Sequence, residues 1–592
     1  LNLAGGLLID PAGEGALSGL WTALTGGDVD WPALARRGKQ EVLDDLLAAD
    51  VNRLAELFLA VCEEHRRHRD YSRHELAQAL REVAADLAVY RTYARAETGW
   101  VSDADRGRIE AAVAAAKERR GDLAADLFDW LGSVLMLRVR GKAAAELAMR
   151  FQQVSAPAMA KGVEDTALYR FGRLLALNEV GGNPGCFGIA PEEFHARCAA
   201  TAKRWPRTLL ATSTHDTKRG EDVRARLALL SEMPERWAAA VRRWWAQNAR
   251  HRRRAAPGGP GVLPEVPDAA TEYMLYQTLV GAWPLGGERA AAYVEKAARE
   301  ARGQTSWTRP DAAYEEGLRD FLAALDGDLD WQAELAEFVA PLIAPGRLNS
   351  LAETLLKLTA PGVPDVYQGC ELWTLSLVDP DNRRPVDFAL RRRLLERLAA
   401  ASPEEILAGM EEGLPKLWLV RQALHLRRRR PEWFGPGAGY APLAARGGRA
   451  GHAVVFCRAG AVVTVVPRLV LGLGGDWGDT EIILPEGAGV GEAGDPGERG
   501  DVGDVGDVGD AGERGDVGGL GEARGAGVVG AADDYGNAGD RGAAGDAGGG
   551  IGSIAPEGVR WRNVLTGEEW AAGPCRLAEL LRRFPVALLA RE

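Results

Sequence analysis

The sequence predicts an α/β protein in which parallel strands end in polar loops, large helical insertions surround them, and a separate antiparallel β domain follows. Three observations carry this. Ala, Leu, Glu and Arg recur at three-to-four spacing from about Ala16 to Arg150, as in Glu75-Leu76-Ala77-Gln78-Ala79-Leu80-Arg81-Glu82-Val83, the pattern of amphipathic helices. The apolar runs Thr208-Leu209-Leu210-Ala211-Thr212 and Thr359 to Tyr367 lead straight into polar clusters, as buried parallel strands do when they deliver functional loops. Beyond Lys416, the β-rich runs Ala453 to Cys457 and Ala461 to Val466 flank a short turn with Gly460, a hairpin signal.

A length of 592 residues exceeds what one core needs, so several domains are expected. We divide the chain into a helical insertion over 1–150, a barrel portion over 151–415 with a further helical insertion near 222–345, and a β domain over 416–592. Arg560 to Gly567 and Phe584 to Leu589 supply further strands of that last domain. A Gly/Asp-rich segment near 486–557 divides it, with a triplet texture in Gly500 to Val508. Proline is too scarce there for collagen and the repeat too short for a calcium-binding β-roll, so a disordered surface insertion is expected.

Composition narrows the function. Net charge is −12, from 72 Lys and Arg against 84 Asp and Glu, which opposes binding to nucleic acid and suits a neutral substrate. No apolar run is long enough for a bilayer, so no membrane partner is expected. The six cysteines form no CxxC pairs and no signal peptide opens the chain, which points to a reducing, cytoplasmic setting without disulfides or a zinc ribbon.

Three polar clusters are candidates for chemistry. Thr212 to Asp222 follows the first strand, where a His215-Asp216 pair can bind neighbouring sugar hydroxyls and oppose an oxocarbenium-like charge. The plainer alternative makes Asp216 or Thr217 the cap of a helix beginning near Lys218. Met159 to Tyr169 packs Lys161, Glu164 and Asp165 within five residues, either a loop that grips hydroxyls or a capped helix start with a compensating Lys. Pro361 to Trp373 offers Tyr367 and Trp373 for sugar stacking, or for ordinary core packing.

These clusters, in this order, resemble the malto-oligosyltrehalose synthases of the α-amylase superfamily. The stretches that carry the resemblance are MAKGVEDTALYR (159–170), LNEVGGNPG (177–185), LLATSTHDTKRGEDVRAR (209–226), EYMLYQTLVGAWP (272–284), the run from Asn349 to Phe388, and DWGDTEIILP (476–485). The resemblance implies a partial (β/α)8 α-amylase-type barrel with large helical insertions plus a C-terminal antiparallel β-sandwich. It implies an isomerase of trehalose biosynthesis, with malto-oligosaccharide as substrate, no cofactor and no metal. Such enzymes work by a retaining mechanism, with an Asp nucleophile, a Glu acid and base, and a third Asp that stabilises the transition state. The terminal glucose then turns and attacks with its own anomeric hydroxyl, giving an α,α-1,1 link.

Carried over by position, Asp216 is the third carboxylate and His215 a hydroxyl ligand. Lys161, Glu164, Asp165, Lys218 and Arg219 lie in loops expected to hold the reducing-end glucose, joined by Tyr367 and Gln368. The nucleophile and the acid find no counterpart, and Asp10 and Glu14 lie in a stretch, Asn2 to Glu14, that follows the acid's strand. The sequence therefore reads as an N-terminally truncated fragment, inactive and prone to aggregate by itself, of a parent that is a monomer when full length. Two other readings stand beside the isomerase: a non-catalytic glucan-binding protein of the same fold, and an α-glucan hydrolase releasing trehalose.

Smaller features complete the reading. His65, His68 and His74 lie in a charged helical stretch and are not expected to bind zinc. The basic run Arg250 to Arg254 reads as a solvated helix end. Of the 17 tryptophans, Trp283, Trp307 and Trp373 are expected to approach a ligand.

Overall fold

The computed structural model describes residues 1–27, 30–254, 265–486 and 559–592. All but the first residue of the Gly/Asp-rich insert lies outside the described residues, as does most of the stretch from Pro257 to Pro267.

Among the described residues, seven helices of more than ten residues lead into the barrel portion: Glu14–Thr25, Trp31–Asp44, Ala48–Glu63, Arg73–Asp86, Asp103–Arg119, Ala125–Leu135 and Lys142–Met159. The helical spacing from Leu43 to Ala158 becomes one core, in which Phe58, Leu80, Val83, Ile109, Phe128, Leu131, Leu147 and Phe151 pack together, while Leu17, Leu20 and Trp21 of the first helix join the aromatic core described below. Ser72 and Glu75 form a capping box that fixes the start of the fourth helix. The last of the seven runs on without a break as a π-helix over Ala160–Ala167 and a final turn, Leu168–Arg170. Pro157 inside this helix lacks an N–H, which loosens the ladder just where the wider turns begin. At this crossing Gly38 and Gly162 meet backbone to backbone: a Cβ on Gly162 would lie 2.5 Å from the Cα of Lys39.

Two strands form the parallel sheet, β1 (Leu209–Leu210) and, after the small antiparallel pair β2 (Arg253–Arg254) and β3 (Glu265–Val266), β4 (Val363–Pro364). Leu209 pairs with Val363 and Leu210 with Pro364. Sequence reading expects these runs to be buried, and the structure corrects this: Leu209 is 75% and Val363 45% exposed. Among the described residues each strand has one neighbour, so one edge of each is unpaired. The strand-like run from Thr359 also shortens, because Thr359 still ends the long helix Leu329–Thr359. That helix lies against Glu221–Ala228, and from Asn349 onward its residues are buried. Around the inserted helices, Trp237, Trp244, Tyr276, Trp331 and Phe338 form an edge-packed aromatic core.

The basic run is not simply solvated. Arg250 and His251 meet Asp328, Arg252 meets Glu265 and Glu272, and Arg253 meets Glu316 and Asp320. His68 stacks on Trp130, with ring centroids 4.1 Å apart. Among the described residues no helix is long and apolar enough to cross a membrane.

The β domain has β5 (Tyr440–Pro442), β6 (Ala445–Arg446), β7 (Ala453–Arg458), β8 (Val462–Pro467), β9 (Glu481–Leu484), β10 (Arg560–Asn563), β11 (Glu569–Ala571), β12 (Gly573–Arg576) and β13 (Ala587–Arg591). The expected hairpin is β7 and β8, with Ala459 and Gly460 both at positive φ in the turn. Six strands run in the order β11-β10-β13-β8-β7-β5, and β12-β9-β6 form the second sheet. Every residue of β7 and β8 is buried because both faces are covered. Val454 and Phe456 pack toward Leu351 of the barrel portion and Leu419 of the helix Leu414–Arg429, whereas Val455 and Cys457 pack toward Ile482 and Leu484 across the sandwich.

Candidate active site

The parallel pairing of β1 with β4 sets two polar loops side by side at the C-terminal ends of the strands. The loop after β1 carries His215 and Asp216. The capping alternative fails here, because the next helix begins at Glu221 behind Gly220 and has no side-chain cap. The Thr217 hydroxyl instead donates to the carbonyl of Thr214 at 3.0 Å, closing a tight turn. Asn382 Nδ2 donates to the His215 carbonyl at 3.1 Å and anchors the same turn from outside. Both side chains are thereby on the outer surface: His215 and Asp216 are exposed, and the Asp216 carboxylate caps no helix.

The bracket beneath this loop is Glu179, which sequence reading passed over within LNEVGGNPG. Its side chain is buried, and it accepts from the Lys218 amide at 2.7 Å and the Arg219 amide at 3.1 Å. Arg224 completes its shell at 3.3 Å. With the Val180 amide also donating at 2.9 Å, a buried carboxylate held by three backbone donors and a guanidinium is satisfied and rigid.

Lys161, Glu164 and Asp165 sit on the π-helix, which continues the preceding helix without a side-chain cap, so neither the expected loop nor the capped helix start describes them. The wider turns bring Lys161 Nζ within 2.6 Å of Asp165 Oδ2, while Lys218 Nζ lies 2.8 Å from Asp165 Oδ1 and 3.6 Å from Asp216. Two ammonium groups and two carboxylates thus alternate from the helix to the strand-end loop. Burial works to raise the Asp165 carboxyl, but Lys218 and then Lys161 outweigh it and hold it below the ordinary carboxylate range. Burial likewise works to lower Lys218, and Asp165 overcomes it and holds its pKa above the usual value. Burial raises Glu164, against hydrogen bonds from the Tyr90 hydroxyl and from the Gly181 amide at 2.9 Å. Tyr90 comes from the helical block, and no motif in the sequence marks it.

The remaining expected residues divide. Tyr367 is half-buried and Gln368 exposed in the loop after β4, beside the His215-Asp216 loop. Arg219 lies behind the site at 1% exposure, donating to the Tyr293 hydroxyl at 2.6 Å. Trp373 is walled in, with Nε1 donating to the Met410 carbonyl at 2.6 Å and Lys416 against its ring, and Trp283 packs against the aromatic core. Trp307 is 57% exposed.

Under the site lies a buried ionic layer. Lys416 Nζ stands 2.7 Å from Glu221 and 2.8 Å from Asp222, and Lys357 stands 3.4 Å from Glu221. Burial works to raise Glu221, but Lys416 and Lys357 hold its carboxyl far below the usual range. Asp222 also accepts from the amide of Thr374, linking the two strand-end loops. Among the described residues no cluster of His, Cys, Asp and Glu is arranged to hold a metal ion. What the surface offers is an open carboxylate next to an imidazole and an ammonium, a set suited to the vicinal hydroxyls of a sugar and to a developing positive charge.

No protein-family model matches the chain. A protein of Mycobacterium tuberculosis named maltooligosyl trehalose synthase is 38% identical over 497 residues, covering 82% of this chain and 58% of its own length. The solved maltooligosyltrehalose synthase of Arthrobacter ramosus superposes with a TM-score of 0.75 at 35% identity, covering 100% of this chain and 63% of its own. A Sulfolobus tokodaii structure described as a hypothetical maltooligosyl trehalose synthase gives a TM-score of 0.61 at 26% identity, over 79% of this chain and 56% of its own. This chain thus spans about three-fifths of the length of the relatives it matches. In sequence and in its amylase-type fold, it belongs to the maltooligosyl trehalose synthase family.

Proposed function

We propose that this chain carries the transition-state carboxylate and the grip on the reducing-end glucose for an intramolecular transglucosylation, the conversion of a terminal α-1,4 link of a malto-oligosaccharide into an α,α-1,1 link. The observation that carries the reading is the run Lys161, Asp165, Lys218, Asp216, which joins the π-helix to the exposed His215-Asp216 turn.

In this reading Asp216 accepts hydroxyls of the ring that becomes oxocarbenium-like and opposes its charge, with His215 donating to a neighbouring hydroxyl. Lys161 and Lys218 donate to the terminal glucose, and Asp165 keeps both ammonium groups charged and placed. Glu164, fixed by Tyr90 and Gly181, aligns the helix that presents Lys161, and Tyr367 and Gln368 border the same space. Arg219 acts from behind by holding the turn. The nucleophile and the acid of a retaining mechanism match nothing in this sequence, so the roles proposed here stop at binding, orientation and charge stabilisation.

The test joins this chain to the part of the Mycobacterium tuberculosis relative that it does not match, and supplies maltopentaose. Loss of reducing ends without glucose release, abolished by Asp216→Asn, supports the isomerase reading. Release of free sugar favours the hydrolase, and binding without any conversion favours a glucan-binding protein.

A further inference from the structure

The loop between helices Gly287–Ala301 and Ala312–Gly327 spends its hydrogen bonds on holding one exposed ring in place. The Thr305 hydroxyl donates to Glu315 at 2.6 Å and accepts from the Asp311 amide at 3.0 Å. The Ser306 amide donates to the Arg309 carbonyl at 3.1 Å, and the Arg309 amide returns to Ser306 Oγ at 3.0 Å. Thr305 and Ser306 are buried, yet Trp307 beside them stands out at 57% exposure. The Arg299 guanidinium, itself clamped by Glu315 at 2.8 and 2.7 Å, sits 4.9 Å from the indole centroid and takes one face. A rigid, half-covered tryptophan with a face left over is the form of a recognition surface.

Its position ties it to the site. Helix Gly287–Ala301, whose last residues include Glu300, packs against the π-helix that carries Lys161 and Asp165. Arg170, at the end of the MAKGVEDTALYR stretch, donates to the Ala301 carbonyl at 2.5 Å and fastens this loop to the same helix.

We propose that Trp307 and Glu300 form a platform for the reducing-end glucose, the open indole face stacking on the C–H face of the ring and the Glu300 carboxylate accepting one of its hydroxyls. The inference rests on the reading that the site takes an α-glucan, and it adds how the terminal unit is retained while it turns. A ring held by directed hydrogen bonds must break them to rotate, whereas a stacked ring pivots on the indole face and keeps its contact area. Trp307 is the pivot, and Lys161 and Lys218 engage different hydroxyls before and after the turn.

The test is calorimetric titration of maltopentaose into this chain, its Asp216→Asn variant, Trp307→Ala and Trp307→Phe. The expected result is an affinity loss of about tenfold or more for Trp307→Ala, recovery to within about threefold by Trp307→Phe, and unchanged melting for both. Sugar-induced change in indole emission shrinks in Trp307→Phe although binding persists, a readout that a purely structural role would not move. Equal affinity of Trp307→Ala and the unmodified chain overturns the platform, while a weakened Asp216→Asn in the same series leaves the glucan reading standing. An unmodified chain that binds no maltopentaose overturns both.

Discussion

Lys218 and Asp165, distant in sequence, meet at 2.8 Å, and the lysine side chain is 3% exposed where they meet. This ion pair is the joint between the helical block and the strand-end loop. Removing the ammonium with Lys218→Met strands a partly buried carboxylate and costs about 3 kcal/mol of stability in urea denaturation. Lys161→Ala removes the exposed partner of the same carboxylate and costs less than about 1 kcal/mol. Equal losses for the two would show that the joint lies elsewhere.

Asp216 caps no helix and its ion pair with Lys218 is long, at 3.6 Å, so Asp216→Asn shifts stability by no more than about 1 kcal/mol while weakening maltopentaose binding. Melting and titration of the same preparation check both halves. A variant that loses stability together with binding contradicts the placement of Asp216 on an open turn.

The contact between Gly38 and Gly162 leaves no room for a methyl group. Gly162→Ala drives its Cβ against the backbone at Lys39, costs about 3 kcal/mol or more and displaces Lys161 with the π-helix. Chemical denaturation gives the first quantity, and loss of glucan binding reports the second. An alanine tolerated without loss of either would mean that the helices do not cross this closely.

Glu232 links the barrel portion to the β domain through the Gly472 amide at 2.9 Å, and burial lifts its carboxyl to about 7. Unfolded, it titrates near about 4.3. Between these values the folded chain holds more protons, so this group makes stability fall as pH rises from about 4.3 to about 7. Glu232→Gln keeps an acceptor for Gly472 and flattens that slope in melting curves taken across the interval. An unaltered slope would remove Glu232 as its source.

Much of this architecture was legible because periodicity reports which faces are covered. The helical block and the β7–β8 hairpin follow from spacing and from the turn at Ala459 and Gly460. The His215-Asp216 turn was legible as a position but not as a conformation, since Asp216 and Thr217 suit a cap as well as the tight turn that Thr217 closes onto Thr214. Lys161, Glu164 and Asp165 were read as a loop or as a capped helix start, and neither reading reached the π-helix they occupy, because a π-helix has no distinct sequence period. Glu179 and Tyr90 escaped because their roles depend on partners far along the chain. The one available signal was an acidic residue just before a glycine-rich turn, in Glu179-Val180-Gly181-Gly182. The exposure of Leu209 and Val363 was invisible to composition, which reads an apolar strand as covered.

The central claim is that this site grips the reducing-end glucose of an α-glucan. Its most direct test is to titrate this chain with maltopentaose and with maltopentaitol, whose terminal ring has been opened by reduction. A site that grips this ring gives measurable binding of maltopentaose, at least about tenfold weaker binding of maltopentaitol, and loss of that preference in Lys161→Ala. Equal affinity for the two sugars, or none for either, would contradict it.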